Sequence, residues 1–246
     1  VRWAWDGEKV IGVSPVACYV THMLFFRSLL FSVLFGAPVG GFACDLALVL
    51  AVDVSGSVDA DEYRIQMDGL AEGLRDGIVA EALVRGKAQV ALIQWSGSTR
   101  QEVSIPWVEI DDFSALSGLA DRIQRVERPW RNYSTAIGRA LLLAVEQFEL
   151  VPDCKRRVVD VSGDGTSNEG VLPGNLREEL SSAGVTVNAL AIEESDADLT
   201  SYFFENVIHG DGAFVATAES FADYPSRIRM KLLREVARQT ARLEDG

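Results

Sequence analysis

The chain has 246 residues, 48% of them hydrophobic and 24% charged, and a formal net charge of −13. This length and apolar content suit one α/β domain of about 200 residues with a full core, and no repeat or Pro-rich or Gly/Ser-rich linker divides it. An acidic surface repels phosphate backbones and anionic lipid, so no nucleic acid and no peripheral membrane surface is expected as partner, which leaves proteins and small molecules.

The first methionine is Met23, and three zones follow it: a short basic start (23–27), a compact apolar run (28–35) and a stretch rich in small residues (36–43). Together they read as a secretory signal peptide over residues 23–43, cleaved before Cys44. The apolar run is shorter than the roughly 20 residues of a transmembrane helix, so no membrane span is expected in the mature chain. Residues 1–22 read as an upstream extension and residues 44–246 as the mature domain, secreted or periplasmic after bacterial export. Cleavage removes Arg2, Lys9 and Arg27 against Asp6 and Glu8, leaving the remainder slightly more acidic.

The mature chain opens with the apolar run Ala47-Leu48-Val49-Leu50-Ala51-Val52, the pattern of a strand buried on both faces of a parallel sheet. It stops at Asp53. After Ser55-Gly56-Ser57, Asp59 and Glu62 form a capping box, and Tyr63, Met67, Leu70 and Leu74 share one helical face. Further strands are expected at 88–95, 158–161, 185–192 and 213–216, with an edge strand at 102–110. Helices are expected at 113–126, from Thr135 through Phe148, and near 176–180. A last helix opens at Pro225 and buries Ile228, Leu232 and Val236, while Arg227, Lys231, Arg234, Arg238 and Arg242 form its solvated basic face. Strands alternating with helices predict a doubly wound, mostly parallel sheet with helices on both faces and one antiparallel edge strand. Asp160, inside an otherwise apolar strand, has no account at this level.

Ligands of open parallel sheets bind beyond the C-terminal ends of the strands. Three groups stand there: Asp53, Ser55 and Ser57 after the first strand, Thr135 where a loop enters a helix, and Asp164 after the strand at 158–161. Two carboxylates and three hydroxyls are hard oxygen donors, which suit Mg²⁺ or Mn²⁺ and, less well, Ca²⁺. If the hydroxyls ligate directly and the aspartates act through water, the ion stays electrophilic and favours a carboxylate from outside. Each motif alone also turns a chain or caps a helix; their conjunction in this order points to metal.

With these residues the chain resembles the von Willebrand factor type A domains, whose metal-ion-dependent adhesion site (MIDAS) has Asp-x-Ser-x-Ser, then a Thr ahead of a helix, then an Asp after a later strand. The resemblance spans about residues 44–238 and implies hydroxyl ligation by Ser55, Ser57 and Thr135, with Asp53 and Asp164 largely behind water. Within that class, residues 46–58, 158–170 and 208–215 look like a family of uncharacterised bacterial exported proteins. In the resembled fold the strands ending at Asp53 and Asp164 are neighbours, so their N-terminal ends are also close, which implies a disulfide between Cys44 and Cys154.

The expected function is a non-enzymatic, metal-dependent module that holds an acidic group of a protein or small ligand, with Trp95, Ser96, Trp130, Arg131, Tyr133, Asn168 and Glu169 as its rim. The alternatives are a hydrolase using the same metal and a structural domain with a vestigial site. A phosphatase of the haloacid dehalogenase type would want a second carboxylate where Ser55 stands. The only histidines are His22 and His209, so no His-pair zinc site and no supported hydrolase triad can be built. The 164–170 loop departs from the EF-hand pattern, with Gly seventh and Asn175 at position twelve.

Overall fold

The computed structural model describes residues 44–194 and 197–244; the expected upstream extension (1–22) and signal peptide (23–43) lie outside the described residues. Six strands, β1 (Ala47–Asp53), β2 (Gln89–Trp95), β3 (Gln101–Glu109), β4 (Arg157–Gly163), β5 (Val185–Ile192) and β6 (Val215–Ala218), form one sheet in the order β3-β2-β1-β4-β5-β6. Every neighbouring pair is parallel except β2 with β3, where β3 is the expected antiparallel edge. The described helices are α1 (Ala60–Leu74), α2 (Gly77–Arg85), α3 (Phe113–Arg125), α4 (Ile137–Phe148), α5 (Arg177–Ser182), α6 (Leu199–Asn206) and α7 (Tyr224–Glu244).

The two-residue period of a strand splits β1 between two cores. Leu48, Leu50 and Val52 pack with α1, α2, α3 and α7, while Ala47, Val49 and Ala51 face α4, α5 and α6. All seven β1 residues are buried, as the unbroken apolar run requires. The chain leaves β1 toward β2 on one side and has β4 on the other, so the strand order reverses between β1 and β4. This is the topological switch point, where the connections leave in opposite directions and open a crevice beyond the strand ends. Asp53 ends β1 and Asp164 directly follows β4. At the other end of the same pair, Cys44 and Cys154 are disulfide-bonded with Cα atoms 4.6 Å apart, as expected.

Four departures from the sequence reading have physical causes. Helix α2 opens on Gly77, a poor helix former, but Asp76 caps it by accepting from the Ile78 and Val79 amides. Helix α6 has no side-chain cap and begins Leu-Thr-Ser-Tyr-Phe-Phe, a composition that favours strands. Strand β6 starts two residues later than expected because the chain first turns through residues 210–213, with the Ala213 amide donating to the Gly210 carbonyl at 3.2 Å.

The fourth departure corrects the basic face assigned to α7. Lys231 is not solvated but 1% exposed, and it pairs with Asp160 on β4 and, at 3.4 Å, with Glu235. The strand carboxylate faces α7, and a buried carboxylate recruits a cation. That contact also accounts for Asp160. Arg234 does lie at the surface, stacked 3.8 Å over the Phe214 ring; the side chains of Arg238 and Arg242 lie outside the described residues.

Candidate metal centre

The three separated sequence groups meet at one point. The Ser57 hydroxyl donates to Asp164 Oδ1 at 2.8 Å, the Ser55 and Ser57 hydroxyls are 3.3 Å apart, and the Thr135 hydroxyl donates to Ser55 Oγ at 3.4 Å. Asp53 Oδ1 accepts the Ser55 amide at 2.7 Å. Asp53, Ser55, Thr135 and Asp164 are buried, whereas Gly56 and Ser57 are exposed. The cluster therefore opens to solvent on the Ser57 side.

Helix capping does not explain these residues. Helix α1 is capped by Asp59, whose side chain accepts from the Asp61 and Glu62 amides while Glu62 returns a bond to the Asp59 amide. Helix α4 has no side-chain cap, so the Thr135 hydroxyl is not engaged there. With both helices accounted for, five oxygen-bearing side chains converge for another reason.

The electrostatics favour a cation at this point. Asp53 Oδ2 is buried with no hydrogen-bond partner among the described residues. Burial first, and the neighbouring Asp164 carboxylate second, push the Asp53 carboxyl up to about 8 despite the opposing Ser55 hydrogen bonds. Burial likewise raises Asp164. Two carboxylates held together away from water, one with an orphaned oxygen, and three hydroxyls beside them are a donor set that fits a small divalent cation.

Close backbone approaches shape the pocket. Gly163 ends β4 against the site, and a Cβ there would come within 3.1 Å of Asp53 Oδ2 and 3.4 Å of Trp95 Cη2. At Gly138, in the first turn of α4, an added Cβ would overlap the Val171 carbonyl oxygen. The loop from Asp164 to Val171 thus lies against α4, where the Asn168 side chain accepts the Thr135 amide at 2.9 Å and the Asn168 amide donates to the Thr135 carbonyl at 2.9 Å. Gly138→Ala is expected to cost about 2–3 kcal/mol by overpacking and to weaken divalent-cation binding by displacing Thr135 and Asp164. Urea unfolding and Mn²⁺ titration of the variant check both effects; unchanged values would show that the loop moves without consequence.

The expected rim is only partly surface. Arg131 and Tyr133 are exposed, with the Arg100 guanidinium 4.5 Å from the Tyr133 ring centroid, and the Tyr133 carbonyl accepts the Gly56 amide at 2.8 Å. Trp95 and Ser96, by contrast, are fully buried. Trp95 is register partner of Asp53 across β1 and β2, and Ser96 bonds the Ser134 carbonyl at 3.0 Å, so both support the floor of the site. Trp130 packs partly buried against the core. Asn168 is exposed and its side-chain oxygen accepts the Thr135 amide, and half-buried Glu169 accepts from the Ser98 and Ser134 hydroxyls, so both brace the Thr135 loop at the surface. Arg128 was not visible as a site residue in the sequence, yet it contacts the Asp53–Asp59 segment at three carbonyls.

The fold, a mostly parallel six-stranded sheet with one antiparallel edge, is shared with solved structures of von Willebrand factor type A domains. Proximal thread matrix protein 1 from the mussel byssus, in a form with a zinc-occupied MIDAS motif, is 23% identical with a TM-score of 0.57 over 79% of this chain and 48% of that one. A von Willebrand factor type A protein from Catenulispora acidiphila is 16% identical, TM-score 0.54, over 78% and 43%. BatB from Bacteroides thetaiotaomicron is 15% identical, TM-score 0.50, over 78% and 99%. The chain spans about half the length of the mussel protein. No curated protein matches the sequence. The chain belongs to the family described as protein of unknown function (DUF1194), whose model matches residues 43–240.

Proposed function

We propose that this chain is an exported, divalent-cation-dependent binding module, not an enzyme, whose partner is a protein or small ligand presenting a carboxylate. The observation that carries this reading is the orphaned, buried Asp53 Oδ2 beside Asp164 and three converging hydroxyls. Ser55, Ser57 and Thr135 offer hydroxyl oxygens to the ion, and Asp53 and Asp164 supply the negative charge behind them. Mg²⁺ or Mn²⁺ suits these hard donors better than a softer ion. When bound, the ion supplies an electrophilic position that draws an anionic oxygen.

Ser57 and Gly56 line the solvent side, so the partner's carboxylate approaches there, between Arg131 and Tyr133 on one hand and the start of α1 on the other. The site offers no histidine, and its Ser57 hydroxyl, bonded to Asp164, is one of a set of oxygens that suits an ion, which supports holding a ligand over converting it. Export is supported by the Cys44–Cys154 disulfide, a bond that persists in oxidising compartments. No helix among the described residues is long and apolar enough to cross a membrane.

A polyglutamate surface tests the reading cleanly, because a chain of net charge −13 is repelled by it unless a metal intervenes. Retention in Mg²⁺, release by EDTA and no retention on polyglutamine are expected. Equal behaviour with and without metal would contradict the proposal.

A further inference from the structure

The segment between α3 and α4 carries Arg128, whose guanidinium lies against the loop that joins β1 to α1. Its Nη2 donates to the Val54 carbonyl at 3.0 Å and the Ser55 carbonyl at 2.6 Å, and its Nη1 donates to the Asp59 carbonyl at 3.4 Å. The first two contacts fall on consecutive peptide units, and each unit is also held at its other end. In the 54–55 peptide the carbonyl goes to Arg128 and the Ser55 amide goes to Asp53 Oδ1 at 2.7 Å. In the 55–56 peptide the carbonyl goes to Arg128 and the Gly56 amide goes to the Tyr133 carbonyl at 2.8 Å.

A trans peptide is a rigid plane whose C=O and N–H point in opposite directions, so holding both ends fixes its tilt. Both planes flanking Ser55 are held in this way. Its φ and ψ, and with them the direction of its Cα–Cβ bond, are restrained, and the hydroxyl stands 3.3 Å from Ser57 Oγ and 3.4 Å from Thr135 Oγ1.

We infer that Arg128 is a positioning residue of the metal centre, which presents the Ser55 hydroxyl in ligating orientation by clamping the two peptide planes on either side of it. Both plane carbonyls accept from the one Nη2, while Nη1 of the same rigid planar fork reaches the Asp59 carbonyl, a third hold in a fixed geometry that a lysine ammonium, a compact point charge, does not reproduce. The inference rests on the reading of this loop as the metal loop.

The sign of the effect separates positioning from electrostatics. A cation beside a metal site repels the metal, so removing its charge alone would tighten Mn²⁺ binding. Removing a positioning clamp loosens it. Arg128→Gln and Arg128→Lys are both expected to weaken Mn²⁺ binding by about 10- to 100-fold, the range for lost outer support of metal ligands. Arg125→Gln, which removes an exposed charge three residues away without touching the clamp, is expected to bind Mn²⁺ as the wild type. Unfolding midpoints in EDTA verify that each variant is folded. An Arg128 variant that is folded and binds as tightly as the wild type overturns the inference, whereas a wild type that binds no Mn²⁺ overturns the metal reading beneath it.

Amide exchange on the unaltered protein supplies an arm that needs no variant. The Ser55 and Gly56 amides are expected to be equally protected with and without Mg²⁺. Protection that appears only with metal would show that the ion, not Arg128, orders the loop.

Discussion

Lys231→Met is expected to lower the unfolding free energy by about 3–5 kcal/mol, because it removes the one cation from a buried group of three charges. Lys231, Asp160 and Glu235 are each 3% exposed or less. Lys231 pairs with both carboxylates, Glu235 accepts from Asn188 Nδ2 at 2.7 Å, and Asn188 Oδ1 accepts the Phe214 amide at 3.0 Å. Burial pushes the Asp160 carboxyl up to about 6 while Lys231 pulls it back. Without Lys231, two carboxylates remain in the core with no counter-charge. Urea unfolding at neutral pH reads the loss, and a change below about 1 kcal/mol, as for an exposed pair, would contradict it. Asp160→Leu/Lys231→Met/Glu235→Gln is expected to recover most of the stability, since a buried ion group is seldom more stabilising than apolar residues of similar volume. The group fixes α7 against β4, the strand that leads into Asp164, and the Tyr224 hydroxyl reaches Ser162 on the same strand at 3.5 Å.

Replacing both cysteines, Cys44→Ser with Cys154→Ser, is expected to cost about 4–5 kcal/mol, the chain-entropy value for a closed loop of this size. The bonded residues are 110 apart in sequence, and the loop encloses β1, β2, β3 and helices α1 to α4. Denaturant unfolding with and without a reductant measures the effect: the reductant should shift the wild type to the position of the variant and leave the variant unmoved. Divalent-cation affinity is expected to change little below the unfolding transition. The bond lies at the N-terminal ends of β1 and β4, about 20 Å of strand away from Asp53. A stability loss under about 1 kcal/mol would show that the unfolded chain is already constrained; a large loss of metal affinity in folded protein would show coupling between the sheet's two ends.

The parts of the molecule legible in the sequence are those whose chemistry is local or set by strand order. The run from Ala47 to Val52 is apolar because β1 is covered on both faces, and Asp53, buried as well, marks where the apolar run gives way to the polar site. Ser55, Ser57, Thr135 and Asp164 could be collected because each directly follows a strand or precedes a helix, and the switch between β1 and β4 brings such positions together. The disulfide followed from the same adjacency at the opposite ends.

What stayed hidden depends on tertiary partners. A lysine at a helical spacing that suggests solvent is indistinguishable from Lys231 until Asp160 is seen to face it. Arg128 sits in a loop beside Pro129, where a charged residue ordinarily reads as solvated; its role depends on which carbonyls the fold brings within reach. Trp95 and Ser96 stand at the right chain position for a rim, but Trp95 points from the end of β2 into the core and Ser96 is buried under its bond to the Ser134 carbonyl. Asn168 and Glu169 also brace the loop around Thr135, through bonds to Thr135, Ser98 and Ser134 that only the fold reveals.

Calorimetric titration of the folded chain with Mg²⁺ and Mn²⁺, beside Asp53→Ala, tests the metal centre most directly. Saturable binding of a single ion by the wild type, with none by Asp53→Ala, is the expected result. No binding by folded wild type, or equal binding by the variant, would contradict it.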